Sequence, residues 1–419
     1  MKVLVVGGGG REHAIVWKLA QSPDVTEIFC APGNGGIGEI ARLVPVSATD
    51  IDGIVGFSKE NGIDLVVVAP DDPLAMGMVD ALEAAGIPAF GPRKDAAIIE
   101  SSKVFAKDLM KKYNIPTADY RVFDDSREAR EYVMKAKLPV VVKADGLALG
   151  KGVLICHTRD EAVAAVNSIM EERKFGSAGQ RIVVEEYITG PEVSILAFTD
   201  GRTIKPMVSV QDHKRALDND QGLNTGGMGT FTPSRHYTGA IARECMETIF
   251  EPTIRAMNEE GRKFKGVLFF GLMLTENGPK VLEYNARFGD PETQVVLPLL
   301  KTDLLTIIKA VINEELDKVD IQWEQDAAVC VVMASGGYPE AYEKGFEITG
   351  LDRFGRQSEI LVFHAGTKKE GDRFLTNGGR VLGVTARGAD IEEARRKAYA
   401  AVSGIHFKNA HYRRDIGIK

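Results

Sequence analysis

The chain has 419 residues, beyond the roughly 250 to 300 that one hydrophobic core supports, so two to three domains are expected. Its 52 Lys and Arg against 59 Asp and Glu give a net charge of −7, which argues against a nucleic-acid partner held through phosphate contacts. The apolar run in "MKVLVVGGGG" is too short for a signal segment, and no stretch approaches the ~18 apolar residues of a membrane span.

Residues 1–100 alternate β-branched runs such as "KVLVV" and "LVVVA" with amphipathic stretches, the pattern of a parallel βαβ sheet buried on both faces. From residue 101 a helix, "SSKVFAKDLMKKY", is followed by hairpin-like strands in "LPVVVKADGLALGKGVLIC" and "RIVVEEYITGPEVSILAFTDG", as in an α+β domain of mixed sheets running to residue 325. Residues 326–419 show short strands with Gly turns and then a helix in which Asp390 and Glu393 form a capping-box pattern ahead of Ala394, Ala398 and Val402. The expected fold class is therefore α/β and α+β, in three domains. Cys30, Cys156, Cys245 and Cys330 are scattered without CxxC spacing, which points to a reducing, cytoplasmic setting.

Three glycine clusters carry candidate chemistry. "VVGGGGREH" follows a strand and opens a helix, but the G-x-G-x-x-G register fails at Glu12 or His13, and no acid lies near Phe29 to Ala31 to hold a ribose. Either the glycines serve a tight turn alone, or the helix N-terminus attracts a substrate phosphate. "KADGLALGKGV" misses the nucleoside-triphosphate loop pattern because Gly152 stands where Ser or Thr belongs. Between two strand-like flanks it reads as a hairpin tip, either a plain turn or a lid over phosphates, and Lys143 and Lys151 on both sides favour the lid. "QDHKRALDNDQGLNTGGMG" sets His213 between Asp212 and Lys214 in a polar loop, a setting suited to an anionic ligand. No G-x-S-x-G nucleophile and no zinc pattern is present.

In "KVLEYNARFGDPETQ", period-2 alternation puts Glu283 and Asn285 on one strand face and Leu282 and Tyr284 on the other. Two oxygen-bearing side chains on one face suit Mg²⁺ shared with substrate phosphates, and equally suit a solvated polar face.

Together and in order, "GGREHA", "APGN", "KADGLALGKGV", "QDHKR", "NTGGMG", "EYNARFGDPETQ", "ASGGYP", "FHAGT" and "TNGGRV" resemble the glycinamide ribonucleotide synthetase family of ATP-grasp ligases nearly end to end. The resemblance implies ATP-dependent joining of glycine to 5-phosphoribosylamine through a glycyl phosphate, in purine biosynthesis. It implies domains at 1–100 (substrate phosphate), 101–325 (ATP-grasp, with a lid subdomain at about 120–188) and 326–419. By this likeness Glu283 and Asn285 hold Mg²⁺ or Mn²⁺. Lys103 and Lys143 reach ATP phosphates, Gly150, Lys151 and Gly152 belong to the lid, Glu185, Glu186 and Ile188 read adenine, and Glu192 meets the ribose. Gly9, Gly10, Arg11, Glu12, Asp71, Asn224 and Arg380 face the phosphoribosyl substrate, and Arg287, Asp290, Asp212 and Lys214 are catalytic candidates. No nucleic-acid or membrane partner is implied, and the oligomeric state is not legible, a monomer being compatible. Three positions depart from the family pattern. "FFGLMLT" offers no further metal carboxylate, leaving the number of ions open; "APDDPL" has Asp71 where Glu is expected; and Ser101 and Ser102 precede Lys103 where "GSK" is common. A formate-using transformylase, a carboxylase subunit and a non-catalytic ATP-binding regulator are the alternatives.

Overall fold

The computed structural model describes residues 1–147, 152–355 and 359–418. Strands β1 (Lys2–Gly7), β2 (Glu27–Pro32), β3 (Arg42–Leu43), β4 (Leu65–Val68) and β5 (Ala89–Phe90) form a parallel sheet in the order β3-β2-β1-β4-β5. Leu4 and Val6 enter one apolar cluster and Val3 and Val5 another, so both faces are buried, as the unbroken β-branched run predicts. The strand order reverses between β1 and β4, and sheets of this kind leave a ligand crevice beyond the carboxyl ends at that switch. Gly7 ends β1, Gly8 to Gly10 lead from it into the next helix, and Asp71 follows β4, so both border the crevice. Gly7 has φ +120°, and a Cβ there would lie 2.5 Å from Glu12 Cγ, so this turn requires glycine.

A second sheet holds β6 (Tyr120–Phe123), β7 (Val140–Ala144), β8 (Val153–Cys156) and β9 (Ile182–Glu186), in the order β6-β9-β7-β8. β7 and β8 pair antiparallel as the expected hairpin. The stretch "RIVVEEYITGPEVSILAFTDG" is not one. β9 pairs with β6 and β7, whereas Glu192–Thr199 pairs with Ile204–Pro206 and Gly266–Thr275 in a third sheet that also holds Gly278–Asn285. The separation has a local cause. Leu274 donates its N–H to the Pro191 carbonyl (3.0 Å), and Gly190 approaches the Leu274 carbonyl so closely that a Cβ would lie 2.1 Å from it, which docks the linker on the third sheet.

The strands of residues 327–334, 360–364 and 380–388 form a fourth sheet together with two short strands from far upstream, Gln211–Asp212 and Gly229–Thr232. Helix Ile391–Val402 packs on it through Ala394, Ala398 and Val402. Its Asp390 accepts from the Glu393 N–H (2.8 Å), the first half of the expected capping box, but Glu393 accepts from the Ala389 N–H (2.7 Å), one residue ahead of the cap, rather than from Asp390. Among the described residues no helix is long and apolar enough to cross a membrane.

His213 departs from its expected place beside an anion. It is 3% exposed, tilted against Phe231 at 5.9 Å, with its N–H on the Gly229 carbonyl. His13 and His364 are also buried, with His13 Nδ1 accepting the His364 N–H at 2.8 Å across the seam between helix α1 (Gly10–Leu19) and the C-terminal sheet. Burial pushes His13 down to about 3 and His213 and His364 down to about 4, so all three are neutral when folded. The unfolded chain protonates them below about pH 6.5, so their stabilisation is complete above that pH and is lost as pH falls toward the folded values. Each histidine is expected to cost up to ~1.4 kcal/mol per pH unit in that window. Denaturant titration between pH 7 and 5 measures this, and His13→Gln should flatten the slope relative to the parent chain; an unchanged slope refutes the assignment.

Candidate functional site

Glu283 and Asn285 do share a face of strand Gly278–Asn285, but Leu282 does not sit beside Tyr284. Register runs Gly271 opposite Glu283 and Leu272 opposite Val281, which leaves Leu282 as the extra residue of a β-bulge. Val281 and Tyr284 fill the core instead, and the Leu282 carbonyl turns to accept Lys143 Nζ at 3.2 Å. The bulge therefore places the polar pair next to a lysine from another sheet.

Cations converge on this point from four segments. Lys143 on β7 and Lys107 on helix Lys103–Lys112 donate to one oxygen of Glu185, at 2.9 and 3.0 Å. Lys103, at the start of that helix, reaches the Gly146 carbonyl (3.1 Å) just beyond the end of β7. Lys214 lies 2.8 Å from Glu192 and 4.0 Å from Glu283, and Arg287 lies 3.1 Å from Glu100. Burial alone would raise the Glu283 carboxyl, but Lys214, Lys143, Lys103 and Arg287 outweigh it and hold it below the usual range. Burial lowers Lys103 and brings Lys107 down to about 8, whereas Glu192 holds Lys214 above its ordinary value. Glu185 Oε1 and Arg287 Nε are buried with no hydrogen-bond partner. Such atoms each cost about 1 to 3 kcal/mol unless something meets them, which suits an acceptor-and-donor ligand.

A second cluster joins the crevice of the parallel sheet to the C-terminal sheet. The Asp290 carboxylate accepts from the Arg11 N–H (3.2 Å) and from Gln294 Nε2 (2.9 Å), and lies 3.3 Å from Arg380. Arg380 also donates to the Gly226 and Asp290 carbonyls (2.6 and 2.8 Å). Arg11 Nε and the Gly9 N–H both bind Glu12, each at 2.6 Å. Two donors expected to stand open to a substrate anion, Gly9 and Arg11, thus already hold carboxylates of this chain. Asp71 is half-buried at the start of helix Asp71–Met76, and its charge, with those of Glu12 and Asp290, acts on Arg11. Asn224 closes a short hairpin opposite Arg215. Asp212 accepts the His213 N–H (2.7 Å); burial and the charge of Glu292 hold its carboxyl well above the ordinary range, and burial raises Glu292 too.

Of the adenine and ribose candidates, Glu185 and Glu186 end β9, Ile188 is half-buried in the linker, and Glu192 opens the next strand. Gly152 accepts the Ala144 N–H at the base of the hairpin (2.9 Å). Gly150 and Lys151 lie outside the described residues. Sequence reasoning missed Lys107, Glu100, Gln294 and Glu292. Lys107 was findable, since it follows Lys103 by four residues on a helix and so shares its face. Glu100, whose charge meets Arg287 from 187 positions away, carries no such signal. Among the described residues no group of three or more His, Cys, Asp or Glu could hold a metal ion. Glu283 and Asn285 supply two oxygens, a set that fits a hard cation whose remaining ligands come from phosphates and water.

Residues 1–100 match the N domain of phosphoribosylglycinamide synthetase, 101–293 its ATP-grasp (A) domain and 328–419 its C domain. The phosphoribosylamine–glycine ligase of Halalkalibacterium halodurans is 48% identical over all of this chain and 97% of its own. The crystal structure of the Thermotoga maritima phosphoribosylamine–glycine ligase superposes with a TM-score of 0.86 at 36% identity, covering 99% of this chain and 100% of that one. The biotin carboxylase domain of Hydrogenobacter thermophilus 2-oxoglutarate carboxylase, solved with MgADP and bicarbonate, shares the fold at 18% identity, with a TM-score of 0.76 over 98% of this chain and 91% of that one. The chain therefore belongs to the phosphoribosylglycinamide synthetase family.

Proposed function

We propose that the protein ligates glycine to 5-phosphoribosylamine with ATP, giving glycinamide ribonucleotide, ADP and phosphate, the second step of purine biosynthesis. The observation that carries this is the convergence of Lys103, Lys143, Lys214 and Arg287 on Glu283, a concentration of positive charge fitted to a triphosphate. A glycine carboxylate oxygen attacks the γ-phosphorus, the bond to ADP breaks, and glycyl phosphate forms. The substrate amine then attacks the acyl carbon, and phosphate departs with the acyl oxygen. Lysines and arginine stabilise charge that is spread over the transferring phosphoryl group, where electrostatics contribute most. Mg²⁺ or Mn²⁺ held by Glu283 and Asn285 would neutralise phosphate charge when bound. Glu185 Oε1 suits the adenine amino group as a donor, and Arg287 Nε suits the glycine carboxylate or the acyl phosphate as an acceptor. Asp290, Arg380, Asn224 and the turn at Gly9 to Glu12 border the phosphoribosyl substrate, with Asp212 and Lys214 between the two clusters. Four unpaired cysteines support a cytoplasmic setting.

ADP release and product mass, with glycine, formate or bicarbonate as the acid, test this reading. Glycine alone should support turnover; formate or bicarbonate replacing it assigns the chain to another ATP-grasp reaction. In the same assay Glu283→Gln should cut kcat by about 100-fold or more while ATP affinity changes far less, because the metal acts mainly on transition-state charge. Near-parental turnover of this variant at low Mg²⁺ rules out Glu283 as a ligand.

Asp71 stands at the mouth of the crevice, where a carboxylate can accept from the amine or ribose of the substrate, directly or through water. Asp71→Ala should raise KM for phosphoribosylamine by roughly tenfold or more, the loss of one charge-assisted hydrogen bond, and leave KM for ATP nearly unchanged. Asp71→Glu should stay active. Equal kinetics for Asp71→Ala and the parent assign the residue to the turn alone.

A further inference from the structure

Lys214 is the cation between the two clusters, yet the hairpin that carries it, Arg215–Leu217 paired with Gln221–Asn224, has no broad sheet behind it. Its support comes from the far end of the chain. Arg413 is fully buried, and every nitrogen of its guanidinium is engaged: Nε and Nη2 on Asp415 (2.7 and 2.6 Å), and Nη1 on Asp220 Oδ1 (2.9 Å) and on the Arg215 carbonyl (3.1 Å). Around it, Asp415 accepts the Asn219 N–H (2.9 Å), Asp218 accepts the Arg414 N–H (2.7 Å), and His411 Nε2 donates to the Ala216 carbonyl (2.7 Å). These bonds hold Asn219 and Asp220 at φ +58° and +54°, a left-handed pair that costs energy without such partners. At the other end of the hairpin, Thr225 returns its N–H and Oγ1 to the Lys214 carbonyl (2.8 and 2.9 Å).

We infer that Arg413 is a positioning residue: by clamping the 215–224 hairpin through Asp220 and the Arg215 carbonyl, it fixes Lys214 between Glu192 and Glu283. A planar five-donor fork suits this task, because one rigid group satisfies a carboxylate in the tail, a carboxylate at the hairpin tip and a backbone carbonyl beside Lys214. Asp220 is 46% exposed on its side chain, so changing it perturbs the clamp without opening the core. As far as turnover is concerned, the inference rests on the ligase reading; the placement of Lys214 does not.

Two measurements on the full chain decide it. The first is the rate at which an amine-reactive reagent labels Lys214, read by mass spectrometry against Lys280, which pairs with Glu186 elsewhere. Asp220→Asn and Arg413→Lys should each raise Lys214 labelling severalfold and leave Lys280 unchanged. The second is kcat for ADP release in a double-mutant cycle. Each clamp variant should lose about tenfold in the parent background and nothing further in Lys214→Ala, since a residue acting through Lys214 has no effect once Lys214 is gone. Asp326→Ala, which breaks the Arg387 ion pair (2.7 Å) in the same C-terminal sheet, should leave both readouts at parental values. Unchanged Lys214 labelling in Asp220→Asn overturns the inference, as does an equal kcat loss with and without Lys214. If the parent itself releases no ADP with glycine and phosphoribosylamine, the ligase reading fails while the labelling still decides the clamp.

Discussion

A site built to grip a triphosphate must gather cations at close range and yet be stable before the phosphates arrive. Unpaired buried charge is too costly to keep, so most cations of the cluster rest on a carboxylate, while Lys103 rests on the Gly146 carbonyl. Glu185 holds Lys107 and Lys143 on a single oxygen, Glu100 holds Arg287, and Glu192 with Glu283 holds Lys214. The carboxylates come from four different segments, and Lys143 on the second sheet also reaches the Leu282 carbonyl of the third (3.2 Å), which ties the two sheets together at the site. On the ligase reading proposed above, entering phosphates would compete for cations already in position, and the enzyme would exchange partners rather than order long side chains.

Asp290 plays the corresponding part at the substrate crevice. Its carboxylate meets the first turn of α1, Gln294 on its own segment and Arg380 from the C-terminal sheet, so groups from three parts of the chain meet on one residue. Asn34 strengthens the same seam, donating to the Gly8 and His364 carbonyls (2.9 and 2.8 Å). The C-terminal residues thereby pack directly against the site. They close the glycine-rich turn from one side and steady the Lys214 hairpin from the other.

What the sequence disclosed followed the range of each physical signal. Unbroken Val-rich runs gave the parallel sheet because burial on both faces leaves no polar alternation, and period 2 gave the shared face of Glu283 and Asn285. The bulge at Leu282 was invisible, since an extra residue in one strand is defined only against its partner. The stretch from β9 to Glu192–Thr199 reads as a hairpin because a short linker joins two strands, yet docking of that linker on Leu274 carries the second strand into another sheet. His213 looks available because its neighbours are charged, whereas Gly229 and Phe231 of a strand further along the chain cover it. Long-range pairs such as Glu100 with Arg287, Asp212 with Glu292 and Arg413 with Asp220 leave no local pattern at all.

The central claim is that the cation cluster serves to activate a carboxylate by phosphoryl transfer, and isotope transfer measures that directly. Glycine labelled with ¹⁸O in both carboxylate oxygens is turned over with ATP and phosphoribosylamine, and the released phosphate and the amide product are weighed by mass spectrometry. Passage through glycyl phosphate predicts one ¹⁸O in every phosphate formed and one retained in the amide carbonyl. Phosphate without ¹⁸O, released together with ADP and product, would contradict it.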